Sequence, residues 1–121
     1  MDVIKTRNYY KSLQPEDVCQ CRDCQNYVKN IKISYPLVSN YLQNIGVDIE
    51  KPFETSPSGP APDGVIYYFG TQYIVLGSKD DFKKAKISDV CIYISESHPV
   101  TDIIEEHFVV EMDILHLKWN L

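Results

Sequence analysis

The sequence predicts an α+β fold, with two short helices packed on a mainly antiparallel sheet of four to five strands. Three observations predict it. Before position 55, apolar side chains recur at helical spacing. After position 64, β-branched and aromatic residues come in strand-length runs. Between them, Thr55 to Gly64 holds three Pro and two Gly, with no apolar side chain larger than Ala, so it reads as a loop. Each flank has about 55 residues, marginal for an independent core. One domain over 1–121 follows, with a helical half 1–54, a loop 55–64 and a β half 65–121.

The first segment, Val3 to Leu13, reads two ways. Tyr9 and Tyr10 favour a strand, and a short helix also fits. Pro15-Glu16-Asp17 is a turn or the first turn of a helix. Cys21, Cys24, Val28 and Ile31 share a helical face, which places a helix from about Arg22 to Asn30. A second helix follows Ser34-Tyr35-Pro36, with Leu37, Val38, Tyr41, Leu42 and Ile45 on one face. Gly46 sits where a C-terminal cap is expected, with Val47 placed to pack back.

In the β half, Val65–Phe69 and Gln72–Gly77 flank Gly70-Thr71, which predicts a hairpin with a type II′ turn. Lys79 to Lys86 reads as a charged turn or short helix, and Val90–Ile94 as a third strand. His107 to Trp119 reads as a long fourth strand, with a bulge near Ile114-Leu115 where the polar face switches. Both faces of Val65–Phe69 are apolar or aromatic. Two helices cover only one of them, which leaves the other to the N-terminal segment, to a partner, or as a tyrosine-bearing surface.

Charge narrows the partners. Twelve basic against 17 acidic residues give a formal net charge of −5, which argues against a dedicated binder of nucleic acid or of anionic membranes. No apolar stretch reaches the roughly 20 residues of a membrane span, and the N-terminus lacks a secretory pattern, so a cytoplasmic protein is expected. Glu96, Asp102, Glu105, Glu106, Glu111 and Asp113 lie in a segment without Lys or Arg, a field that steers basic partners or simply solvates the surface.

Cys19-Gln20-Cys21-Arg22-Asp23-Cys24 carries the chemical content. Three readings stand. Three thiolates in tight turns suit zinc, with Cys91, a His or water as the fourth ligand. Alternatively, Cys21 and Cys24 form a redox C-x-x-C at a helix start, where the helix end and Arg22 favour thiolate. Finally, the thiols are inert, partly buried small side chains. The position of the helix start separates these. A helix from Pro15 holds Cys19 about 200° from Cys21, whereas a start near Cys21 lets the preceding turn bring Cys19 round. The later start is expected.

The C-x-C-x-x-C motif after Pro15 and before Asn26-Tyr27, followed by a helix ending Ile45-Gly46-Val47-Asp48 and a Gly-aromatic hairpin, resembles a group of small uncharacterised bacterial proteins without established activity. The resemblance covers most of the chain and implies a small bacterial cytoplasmic α+β protein. It brings no catalytic residue with it. Size and acidity are also similar to those of bacterial immunity-type proteins, as an analogy without a shared motif.

Other constellations are weaker. His107 and His116 fall on opposite sides of a straight strand, and His98 stands alone. Ser95, Ser97, His98 and Asp102 lack the elbow that a nucleophilic serine needs. Lys79, Lys83, Lys84 and Lys86 are interrupted by Asp80 and Asp81, a solvated face. The sequence therefore points to a small non-enzymatic protein that acts by protein binding. Cys19, Cys21, Cys24 and Cys91 are its candidate zinc ligands, and Tyr67, Tyr68, Glu105 and Glu106 its candidate contacts to a protein partner or a second copy. The alternative is a thiol–disulfide redox protein using Cys21 and Cys24.

Overall fold

The computed structural model describes residues 1–121 as three α-helices followed by a six-stranded antiparallel sheet. The α+β class stands, with one more helix and at least one more strand than expected. No helix is long and apolar enough to cross a membrane.

The extra helix is α1 (Val3–Ser12). Asp2 caps it by accepting from the Lys5 amide at 3.0 Å. Thr6 and Tyr10, one turn apart, are its buried residues, so helical spacing overrides the strand preference of Tyr9-Tyr10. A single turn of 3₁₀ helix at Pro15–Asp17 precedes α2 (Arg22–Ser34), which starts directly after Cys21 as expected and runs four residues past Asn30. α3 (Pro36–Asn44) ends on Gly46 at φ +88°, with Val47 donating back to the Leu42 carbonyl at 2.9 Å. A Cβ at Gly46 would stand 2.5 Å from the Val3 carbonyl, so glycine also permits α3 to meet α1.

The largest departure lies at Gly70. Val65–Leu76 is one continuous 12-residue strand, β2, and not a hairpin. Its N-terminal half pairs with β6 (Leu115–Lys118) and its C-terminal half with β5 (His107–Asp113). Tyr68 opposes Leu115 and Thr71 opposes Met112, so the register is unbroken. The side-chain alternation nevertheless inverts on both strands. Ile66 and Tyr68 share the helix-side core with Tyr73 and Val75, and Leu115 and Leu117 share it with Val110 and Met112. Gly70, at φ +58°, supplies the bend on β2, and its amide is held by Asp113. The irregularity expected near Ile114-Leu115 is the matching break on the opposite strand.

Two further strands come from segments read as loop or turn. β1 (Glu54–Pro57) adds an edge to β2, and β3 (Ala85–Ile87) adds one to β4 (Val90–Ile94). β4 in turn pairs with β5. Edges beyond β1 are closed by other groups. Tyr10 donates to the Ile74 carbonyl, and Asp2 and Thr6 bond both backbone groups of Leu76. On β6, the Tyr35 hydroxyl accepts from His116 N at 3.2 Å and faces its carbonyl at 3.4 Å.

One cluster of 20 buried residues joins α1, α2 and α3 to the sheet, so the two halves share a core. At its centre Tyr27 and Tyr73 are wholly buried, their hydroxyls hydrogen-bonded at 2.5 Å, and Tyr73 donates to the Ile49 carbonyl at 2.6 Å. The opposite face of the sheet divides into three. Ile74, Leu76 and Val109 are covered by Phe53, Ile103 and Tyr9. A polar network occupies the middle. At the far end Tyr67 and Phe69 stack in the open, 39 % and 42 % exposed, which is the tyrosine-bearing surface that the strand pattern allowed.

Candidate metal centre

The helix start that brings Cys19 round is fixed from several sides. Tyr68 donates its hydroxyl to the Asp23 carbonyl at 2.6 Å. Fully buried Asn26 donates to the Lys118 carbonyl at 2.8 Å and accepts from the Asn120 amide at 3.1 Å. The Arg22 guanidinium lies over the Trp119 ring. Together they bolt the first turn of α2 to β6 and the chain's last residues.

Against that anchor, the Sγ atoms of Cys19, Cys21 and Cys24 lie within 4.8 Å of one another. Cys21 is the N-cap of α2, and its sulfur accepts from the Cys24 amide at 3.4 Å. Cys24 is buried and its sulfur meets the Thr55 hydroxyl at 3.4 Å, whereas Cys19 and Cys21 are exposed. The environments push the two C-x-x-C thiols apart. The Cys24 amide bond, outweighing the cost of burial, holds the Cys21 thiol below its ordinary value. Burial pushes the Cys24 thiol up to about 12, with the neighbouring thiols adding to the effect.

Three thiols so placed can hold a metal ion and are compatible with zinc. Zinc with Zn–S bonds of about 2.3 Å in a tetrahedron holds its sulfurs about 3.8 Å apart, so the three need to draw together by at most about 1 Å. No His, Asp or Glu belongs to the group, and a fourth position stays open. Beside it lies a cavity of about 410 Å³ whose walls include Cys19, Cys24, Val28 and Glu50.

Cys91 is not brought to the cluster. Its neighbours Val90 and Ile92 point into the helix-side core, so alternation puts the exposed Cys91 on the opposite face of β4. The histidines are elsewhere too. His116 packs near Tyr35 and Tyr67, and His107 bonds Thr101 and the Glu105 carbonyl.

The candidate partner residues also separate. Tyr67 is exposed, but Tyr68 is wholly buried, because it is the helix-side neighbour that anchors α2. Glu105 and Glu106 are exposed and lie beside Gly77, at the opposite end of β2 from Tyr67. Ten residues of strand put them roughly 30 Å apart, so they form two patches and not one.

Sequence reasoning missed the polar network on the open face, where Glu111 and Asp113 counted as part of an acidic field that steers basic partners or solvates the surface. Tyr93 bonds both carboxylates, and Gln72 and Ser95 bond Glu111 at 2.8 and 3.0 Å. Burial alone would raise the Glu111 carboxyl, but these donors hold it below its ordinary value. Burial and the two carboxylates push the Tyr93 hydroxyl well up. Part of the signal was in the sequence: Glu111 and Asp113 alternate with apolar Val110 and Met112, so they share a face, but only the pairing of β4 with β5 sets Tyr93 beside them on it.

Comparison with known proteins adds no relative: no family model, no curated protein and no solved structure matches the chain.

Proposed function

We propose that this chain is a small cytoplasmic, non-enzymatic binding protein whose Cys19, Cys21 and Cys24 hold one zinc ion. The observation that carries the metal reading is the convergence of three sulfurs at a helix start that is anchored independently of any metal. Cys21 and Cys24 contribute from the first turn of α2, and Cys19 from the turn before it. The ion would supply a cross-link between the Cys19 turn and the helix. Water or a group from a partner would complete the tetrahedron. The exposed Tyr67–Phe69 pair supports a contact with a protein partner or a second copy, because stacked aromatics left open on a sheet face are typical of such surfaces.

A second reading keeps one specific observation in its favour. An exposed thiol of lowered pKa beside a buried thiol of raised pKa is the asymmetry a dithiol needs, with Cys21 attacking and Cys24 resolving. Native and denaturing mass spectrometry of freshly purified protein, with elemental analysis, separates the two. One equivalent of zinc, lost with release of three thiols, supports the metal site. No metal, and two hydrogens lost reversibly under mild oxidant, rejects it in favour of the dithiol.

A further inference from the structure

We propose that a cavity between α1, α3, the end of α2 and the turn after α3 binds a compact phosphate-bearing anion, with Arg7 and Lys11 as its principal ligands. The cavity measures about 270 Å³ and is lined by Arg7, Lys11, Lys32 and Lys51, with Ser39 and Gln43 as neutral polar groups. A chain of formal net charge −5 has thus gathered four of its 12 basic residues around one hollow.

Two ordinary explanations cover only part of this. Lys11 and Lys32 lie in the last turns of α1 and α2, where cations complement the helix end. Arg7 in mid-helix and Lys51 beyond α3 have no such role. Ion pairing accounts for little more. Lys32 meets Glu50 at 3.4 Å, and Lys51 donates to the Tyr10 carbonyl at 2.8 Å. Arg7 and Lys11 belong to none of the three salt bridges of the chain.

The charge balance selects the ligand class. Four cations stand against two carboxylates, Asp48 on the wall and Glu50 on Lys32, which leaves 4 − 2 = +2. Asp48 is turned onto its own backbone, accepting from the Glu50 amide at 3.0 Å. A phosphate monoester carries roughly −1.5 to −2 at neutral pH and meets that excess, whereas a monocarboxylate meets half of it. The planar fork of Arg7 suits phosphate oxygens in a two-bond contact. The volume falls just under the roughly 300–1,000 Å³ of pockets for drug-sized ligands, which fits phosphate itself or a short phosphorylated molecule.

The test is an amide-resolved NMR titration of the intact chain with inorganic phosphate, at ionic strength held constant with sodium chloride. Saturable shifts confined to Arg7, Lys11, Gly46 and Lys51 are expected. The double variant Arg7→Gln/Lys11→Gln, altered only at exposed side chains, should keep the folded spectrum and weaken binding at least about tenfold. Lys83→Gln/Lys84→Gln should leave it unchanged. Shifts that never saturate, shifts spread equally over Lys79–Lys86, acetate binding as tight as phosphate binding, or an unaltered Kd in the Arg7/Lys11 variant would each overturn the proposal.

Discussion

The middle and the start of α2 face opposite demands. In the middle, Tyr27 and Ile31 are wholly buried, and Tyr27 locks hydroxyl to hydroxyl with Tyr73. At its start, Cys19 and Cys21 stand exposed, and only Cys24 is buried. One helix therefore carries a rigid, polar-satisfied core contact and a chemically open corner, joined by the Asn26 anchor. Stability and chemistry separate along this helix. Changes in the middle of α2 should unfold the protein, and changes at its start should alter what it binds.

Tyr27→Ala should have the largest effect. Emptying this site should cost about 3–5 kcal/mol in urea unfolding. Tyr27→Phe should cost only about 1 kcal/mol, since Tyr73 keeps Ile49 as its acceptor. Asn26→Ala comes next, at about 1–3 kcal/mol, because it orphans the Asn120 amide and leaves the Lys118 carbonyl only the 3.4 Å bond from Asn30. It should also loosen the thiol corner, read as faster exchange of the Cys24 amide. Cys19→Ser should cost under about 1 kcal/mol of metal-free stability while sharply weakening zinc binding, measured by competition with a chromophoric chelator. A stability loss as large as that of Tyr27→Ala would erase the distinction between the middle of α2 and its start.

Titration sharpens the comparison without mutation. Tyr10, Tyr27 and Tyr73 are held neutral chiefly by burial, well above the ordinary value of 10.0. The folded state therefore keeps protons that the unfolded state releases. Their contribution is complete below about pH 10 and is lost as pH rises toward the folded values. Tyrosinate absorbance should show these three ionising only with alkaline unfolding. At the thiol corner of metal-free protein, alkylation at neutral pH should mark Cys21 first and Cys24 last.

How much of this was legible depended on range. The α2 start after Cys21, the Gly46 cap and the break near Ile114 are set by neighbours within a few residues, and the sequence carries those signals. Gly70 misled because glycine at positive φ serves a tight turn and a bulge equally. Only the pairing of β2 with both β5 and β6 decides between them, and those partners lie some 40 residues away. Cys91 failed as a ligand for the same reason, since its face of β4 is fixed by how the sheet docks on the helices. Tyr68 and Tyr67 differ by one position and by complete burial, a choice that the parity flip at Gly70 settles.

In the proposed metal site, Cys19, Cys21 and Cys24 alone supply the protein ligands. Cobalt(II) titration of the reduced protein tests it most directly, because thiolate-to-cobalt bands report sulfur ligation. Saturation at one equivalent, displacement by zinc, loss of the bands in Cys19→Ser and an unchanged spectrum in Cys91→Ser are expected. No thiolate bands, or bands that persist in Cys19→Ser and vanish in Cys91→Ser, would contradict it.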